Sequence, residues 1–268
     1  VEYPPEKQQL LSHLLAQGDG HYREMLGWLA PHLNDAKSMS HVWANKTLPT
    51  FDAMAYWAML KEFQPHRIIE VGSGRSTLIS LEARKRGFIE SHITVIDPGD
   101  GRNNLDLDHS FFNECESHVN APVQTLDPDL FRGLKAGDLL FVDGSHICYR
   151  GSDVTYVFLE VLPRLNQGVI VHIHDIMWPF DYPLVWHQQR RGYTEHYLMA
   201  VMLLADAGRR YKIHLPVRYI LSEPAFEKSL LPWSEAANSV GMELSGESWW
   251  SKAYMGYQGT GFWMEVNG

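Results

Sequence analysis

The chain has 268 residues, 45% hydrophobic, 12% aromatic and 21% charged, an ordinary globular composition that argues against a disordered or low-complexity protein. Its formal charge of -9 is spread along the sequence, so no basic patch points to a nucleic-acid partner. Cys115 and Cys148 are too few for a disulfide framework and fit a reducing, cytoplasmic setting; no run of about 18 apolar residues suggests a membrane span, and residues 1–9 lack a signal core.

In chain order, residues 8–15, 22–33 and 52–63 carry apolar side chains at helical spacing, which predicts an N-terminal helical segment, a cap or lid over residues 1–64. Between the helices lies the linker 43–49, rich in groups able to touch a ligand. From Arg67 the pattern changes. Short, uniformly apolar runs at 67–71, 92–97, 122–126, 138–143 and 169–174 alternate with amphipathic stretches, among them helices at 75–85 and 152–165. Such runs are what parallel strands buried on both faces look like, so residues 65–268 are expected to form one α/β, doubly wound domain. A helix at 195–207 follows. Two late strands, 211–215 and 261–266, are separated by a loop-rich stretch with Pro216, Pro224 and Pro232, and are expected to form an antiparallel edge.

The first strand runs into Glu70-Val71-Gly72-Ser73-Gly74-Arg75-Ser76-Thr77. Glycines allow a sharp exit from the strand and a close backbone approach to a ligand, and the next helix points its free N–H groups there. Tight packing alone would also account for such a turn. A dinucleotide fingerprint would place a third glycine where Thr77 stands, and the Gly-Lys-Ser/Thr of a P-loop is absent. Glu70 suits the cationic aminoacyl part of S-adenosylmethionine or the network ordering it, or else is a buried, hydrogen-bonded carboxylate. Asp97, about twenty residues on, ends the second strand where a carboxylate can accept ribose hydroxyls. These features together indicate an adenosyl ligand, which both NAD(H) and S-adenosylmethionine contain.

The fourth strand ends in Phe141-Val142-Asp143-Gly144-Ser145-His146 and the fifth in His172-Ile173-His174-Asp175-Ile176. The carboxyl ends of central strands share one crevice, so Asp143, His146, His174 and Asp175 should converge. Asp143, His174 and Asp175 could supply three ligands to a divalent metal, or form a hydrogen-bonded network without one. His172 is assigned to the core. Trp43, Trp178, Tyr182, Trp249, Trp250, Tyr254 and Tyr257 are either an acceptor wall or ordinary packing.

With these motifs and the following Pro179-Phe180-Asp181-Tyr182-Pro183, residues 48–266 resemble class I S-adenosylmethionine-dependent methyltransferases, in particular a bacterial group distantly similar to metal-dependent O-methyltransferases of small molecules and sugars. The resemblance implies a Rossmann-like, seven-stranded, mostly parallel sheet with an antiparallel edge strand, and O-methylation of a small-molecule acceptor. It assigns Glu70, Gly72, Ser73, Gly74, Ser76, Thr77, Asp97, Asp143 and Ser145 to the cofactor. Asp143, His174 and Asp175 match the metal ligands, with a histidine replacing a carboxylate, so Mn²⁺, Fe²⁺ or Zn²⁺ joins Mg²⁺ as a candidate. His146 stands where the catechol enzymes have a lysine; it is assigned as the base, an imidazole neutral near pH 7, with Asp143 as the second catalytic residue. The alternatives are a metal-dependent hydrolase and an NAD-dependent oxidoreductase. No nucleic-acid or membrane partner is expected, and a homodimer is left open.

Overall fold

The computed structural model describes residues 7–35, 38, 48–99, 109–242 and 259–268. The chain opens with helices α1 (Gln9–Ala16) and α2 (Asp19–Leu29), the latter continued by a 3-10 turn, Ala30–Leu33, then α3 (Thr50–Phe63). Every α3 residue from Thr50 to Leu60 is buried, because the helix packs against the sheet on one side and other helices elsewhere. Tyr56 lies 4.7 Å from Phe141 on the sheet, and Phe51 stacks on Trp233 at 4.7 Å.

Strand β1 (Arg67–Val71) leads through the glycine turn into α4 (Arg75–Lys85), and β2 (His92–Ile96) follows. The third strand is β3 (Ser117–Val119), earlier than the expected 122–126, which instead holds a 3-10 turn, Val123–Thr125, opened by Pro122. Its short, half-buried edge position explains why no uniformly apolar run marks it. After β4 (Leu139–Val142), the helix expected at 152–165 is broken into α5 (Asp153–Tyr156), a π-helical turn (Val157–Val161) and a 3-10 turn (Leu162–Arg164). Pro163 lacks the N–H that would return to the Leu159 carbonyl.

The chain continues with β5 (Ile170–Ile173), α6 (Leu184–Gln188), α7 (Glu195–Asp206), β6 (Tyr211–Pro216), α8 (Val217–Ser222), α9 (Glu227–Ser239) and β7 (Phe262–Val266). Among its described residues, the stretch expected to be loop-rich thus contains two helices. Pro232 lies inside α9, where the buried Trp233 stacks on Phe51 and donates its Nε1–H to the Leu26 carbonyl at 3.2 Å, so tertiary packing outweighs the proline.

The sheet order is β3-β2-β1-β4-β5-β7-β6. Strands β1 to β5 are parallel, and β7 runs antiparallel to both neighbours, so the antiparallel pairing lies at the β6 side as expected. This is an α/β Rossmann-like fold. The order reverses between β1 and β4, which opens a crevice at their carboxyl ends, where such sheets bind ligands. Among the described residues, no helix is long and apolar enough to cross a membrane.

Candidate functional site

Gly72 leaves β1 with φ +89°, and a Cβ there would stand 2.0 Å from the Asp143 carbonyl oxygen. The two chains meet this closely because the Asp143 N–H donates to the Val71 carbonyl at 2.9 Å, extending the β1–β4 pairing into the turn. Thr77 Oγ1 accepts the Gly74 N–H at 3.1 Å and closes the first turn of α4. The Ser76 hydroxyl donates to Glu70 Oε1, while Glu70 Oε2 has no hydrogen-bond partner among the described residues. Burial raises the Glu70 carboxyl to about 8, against the pull of Ser76 and Thr77. Glu70, Ser76 and Thr77 are all buried beneath the turn. They therefore order the cradle from below, and Gly72, Ser73 and Gly74 provide its backbone.

Asp97 follows β2 and is turned toward the same cradle. Its Oδ2 accepts the Ser73 hydroxyl at 2.6 Å and its Oδ1 accepts the Gly99 N–H at 2.8 Å. A carboxylate has about four acceptor positions, so among the described residues Asp97 keeps acceptor capacity for hydroxyls of a ligand. Ser145, in contrast, is exposed and engaged elsewhere: its N–H and hydroxyl both donate to Asp153, at 2.6 and 2.5 Å. The cradle is fit for an adenosyl ligand, with close backbone at Gly72, an unpartnered buried oxygen on Glu70 and a carboxylate at Asp97.

The strand ends of β4 and β5 do converge. His146 Nε2 lies 3.2 Å from Asp143 Oδ1 and 3.7 Å from Asp175 Oδ2, and its Nδ1 bonds the Glu195 carboxylate at the start of α7. His174 Nε2 is 3.8 Å from Asp175 Oδ1 and 4.0 Å from Asp52 Oδ2, and its Nδ1 is 3.2 Å from His172 Nε2. His146 and Asp175 hold left-handed backbone, with φ of 60° and 55°, which non-glycine residues adopt rarely and often at functional sites.

Burial opposes a charge on His146, but Glu195, Asp143 and Asp175 outweigh it and hold the imidazole well above its ordinary value. The pocket thus favours imidazolium rather than the neutral ring expected near pH 7, because three carboxylates surround one histidine. Burial likewise opposes charge on His174, and Asp143, Asp175 and Asp52 overcome it. His172, stacked on Phe141 at 4.1 Å, is pushed well below the usual imidazole range by burial and then by His174. It sits in the core, yet touches the cluster through His174.

The metal assignment does not fit this arrangement. His146 Nε2 stands 3.2 Å from Asp143 Oδ1 and 3.7 Å from Asp175 Oδ2, and Thr260 Oγ1 donates to Asp175 Oδ1 at 2.9 Å, so both acids assigned to the metal have partners within the protein. Among the described residues, no group of three histidine, cysteine or acidic side chains is arranged to hold an ion.

Glu195, Asp52 and Tyr193 are the participants that sequence reading missed. Glu195 looks like an ordinary acid in the first turn of a helix, and nothing in its spacing ties it to His146. Tyr193 lies 4.4 Å from the His146 ring and joins Tyr182 and Trp186 in an aromatic cluster. Trp178 is core, packed edge-on to Phe262. Trp43, Trp249, Trp250, Tyr254 and Tyr257, with most of the linker 43–49, lie outside the described residues.

An uncharacterized protein of Archaeoglobus fulgidus is 32% identical over 92 residues, an alignment spanning 34% of this chain and 41% of that protein. Residues 69–176, from β1 through the turn after β5, match the family model of a methyltransferase domain, and this stretch contains the glycine turn, Asp97, Asp143, His146, His174 and Asp175.

Proposed function

We propose that this chain transfers the methyl group of S-adenosylmethionine to a hydroxyl of a small molecule. The observation that carries the reading is the position of the glycine turn: it lies in the stretch matching a methyltransferase domain and at the sheet's crevice, with Asp97 bonded to Ser73. Bound there, the cofactor would supply an electrophilic methyl carbon on a sulfonium. Gly72, Ser73 and Gly74 would hold its aminoacyl end, ordered by Glu70, Ser76 and Thr77, and Asp97 its ribose.

The acceptor approaches from the side of Tyr193 and His146. After the resting imidazolium has released its Nε2 proton to solvent, the acceptor's hydroxyl proton passes to His146 Nε2 as its oxygen bonds the methyl carbon, and the carbon–sulfur electron pair leaves with sulfur as a neutral thioether. An imidazolium formed at His146 is already matched by Glu195, Asp143 and Asp175, which makes this ring a strong base. The main contribution of the protein is alignment of oxygen, carbon and sulfur. No metal is given a step, since His146 lies between the acids assigned to hold one.

Calorimetric titration tests the reading. S-adenosylhomocysteine should bind and NAD⁺ should not, and the reverse result would replace methyl transfer with redox chemistry. Tritium transfer from labelled cofactor to a panel of sugars and phenols should then be lost in His146→Ala while S-adenosylhomocysteine still binds.

A further inference from the structure

The segment that opens α7 holds His146 from three directions. Tyr193 lays its ring against the imidazole. The backbone N–H groups of Thr194 and Glu195 donate to the His146 carbonyl at 2.8 and 3.2 Å. The Glu195 carboxylate meets Nδ1. These contacts fix both the left-handed backbone of His146 and the orientation of its ring.

His146 is 5% exposed and Glu195 1%, so neither can exchange its partner for water. A buried carboxylate must be paired with a donor. The ring nitrogen facing Glu195 therefore carries a hydrogen whether the ring is charged or neutral, and Nε2, facing Asp143 and Asp175, is the nitrogen that gains and loses a proton. An acid on one imidazole nitrogen and a reacting group on the other is the general arrangement by which a base is oriented.

We propose that Glu195 is a positioning residue that locks His146 with its hydrogen on Nδ1, so that Nε2 is the nitrogen that exchanges protons in the crevice. Glu195 does not touch the acceptor; it acts through the ring. The proposal relies on the methyl-transfer reading only for the proton that Nε2 receives, and the orientation of the ring stands on the geometry.

The test is nitrogen-15 spectroscopy of the full chain labelled at histidine, with His146 assigned by the resonance lost in His146→Gln. The wild type should show a hydrogen on Nδ1 of His146, shifted downfield by its bond to a carboxylate. Glu195→Gln keeps an acceptor oxygen but removes the charge, so the resonance should remain and move upfield. In Glu195→Ala, at a pH where the ring is neutral, the hydrogen should divide between Nδ1 and Nε2 and the Nδ1 resonance should weaken. A wild-type ring protonated on Nε2 alone overturns the proposal, as does an unshifted resonance in Glu195→Gln, which decides the matter if Glu195→Ala fails to fold. S-adenosylhomocysteine titration of the same samples separates the two readings. A wild type that shows the Nδ1 signal but binds no S-adenosylhomocysteine sinks methyl transfer and leaves the Glu195–His146 pair in place.

Discussion

Asp52, in the first turn of α3, accepts the backbone N–H groups of Thr260 and Gly261 at 2.8 and 2.9 Å, joining the N-terminal helices to the start of β7 across 208 and 209 residues of sequence. Thr260 in turn donates to Asp175, and its carbonyl accepts the Ile176 N–H at 2.8 Å. One carboxylate therefore connects the helical segment, the reversed strand and the acid after β5. Removing it leaves two buried N–H groups without acceptors, each costing about 1–3 kcal/mol. Asp52→Ala should lose about 2–5 kcal/mol of stability in urea unfolding, and Asp52→Asn less, because its amide oxygen can still accept. A loss below about 1 kcal/mol in Asp52→Ala would show that the junction is held by other contacts.

Gly72 offers a sharper test of the cradle. An added methyl meets a backbone oxygen at 2.0 Å, and that oxygen belongs to Asp143, whose own N–H is paired to β1. Neither side can yield without parting β1 from β4, and the positive φ adds about 1–2 kcal/mol for any side chain. Gly72→Ala should be destabilised by about 2–4 kcal/mol and should bind S-adenosylhomocysteine at least about tenfold more weakly. Calorimetry and urea unfolding of the same preparation check both. Unchanged affinity in a folded Gly72→Ala variant would remove the turn from the cofactor site.

Much of this framework was legible from residues alone because buried parallel strands carry their own signature. The runs at 67–71, 92–97 and 138–143 were apolar on both faces, and each ended in a glycine turn or an acid. What escaped notice was of a different kind. β3 is an edge strand with half-buried side chains, so its three residues send no apolar signal. Helix α9 was obscured by Pro232, whose local cost is met by the burial of Trp233 against Phe51. In the site, Asp143, His146, His174 and Asp175 were found because strand ends converge by topology. Asp52 and Glu195 reach the same place from helices, and a helix's first-turn acid is commonly explained by its own N–H groups. The metal reading gains no support for a related reason: spacing along two strands brought the acids together but gave no sign that an imidazole would stand beside both.

His214, on β6, gives a stability prediction away from the crevice. Its Nδ1 bonds His21 Nε2 of α2 and its Nε2 bonds Glu265 Oε2 of β7, both at 2.9 Å, with the Phe63 ring of α3 5.9 Å away. Burial lowers its pKa to about 4; Glu265 pulls the other way, and His21 and Lys212 add to the lowering. His21 is lowered as well, by burial and then by Lys212, with Glu24 and Glu265 opposing. At pH 7 His214 is neutral in both folded and unfolded chains, so it contributes no pH dependence there. As pH falls below 6.5 the unfolded chain takes up a proton at this residue and the folded one does not, so stability is lost until about pH 4. The full difference amounts to at most about 3 kcal/mol. His214→Gln, which keeps a polar partner for Glu265, should therefore lose less stability than the wild type between pH 7 and pH 4.5 in urea unfolding. The residual slope is the balance of His21, His172 and His196, which burial also keeps neutral, against His146, His174, Asp52 and Glu70, whose raised values act in the opposite sense. Parallel pH profiles for the two proteins would mean that His214 is protonated in the folded state and that the helix–sheet contact has a different charge from the one described.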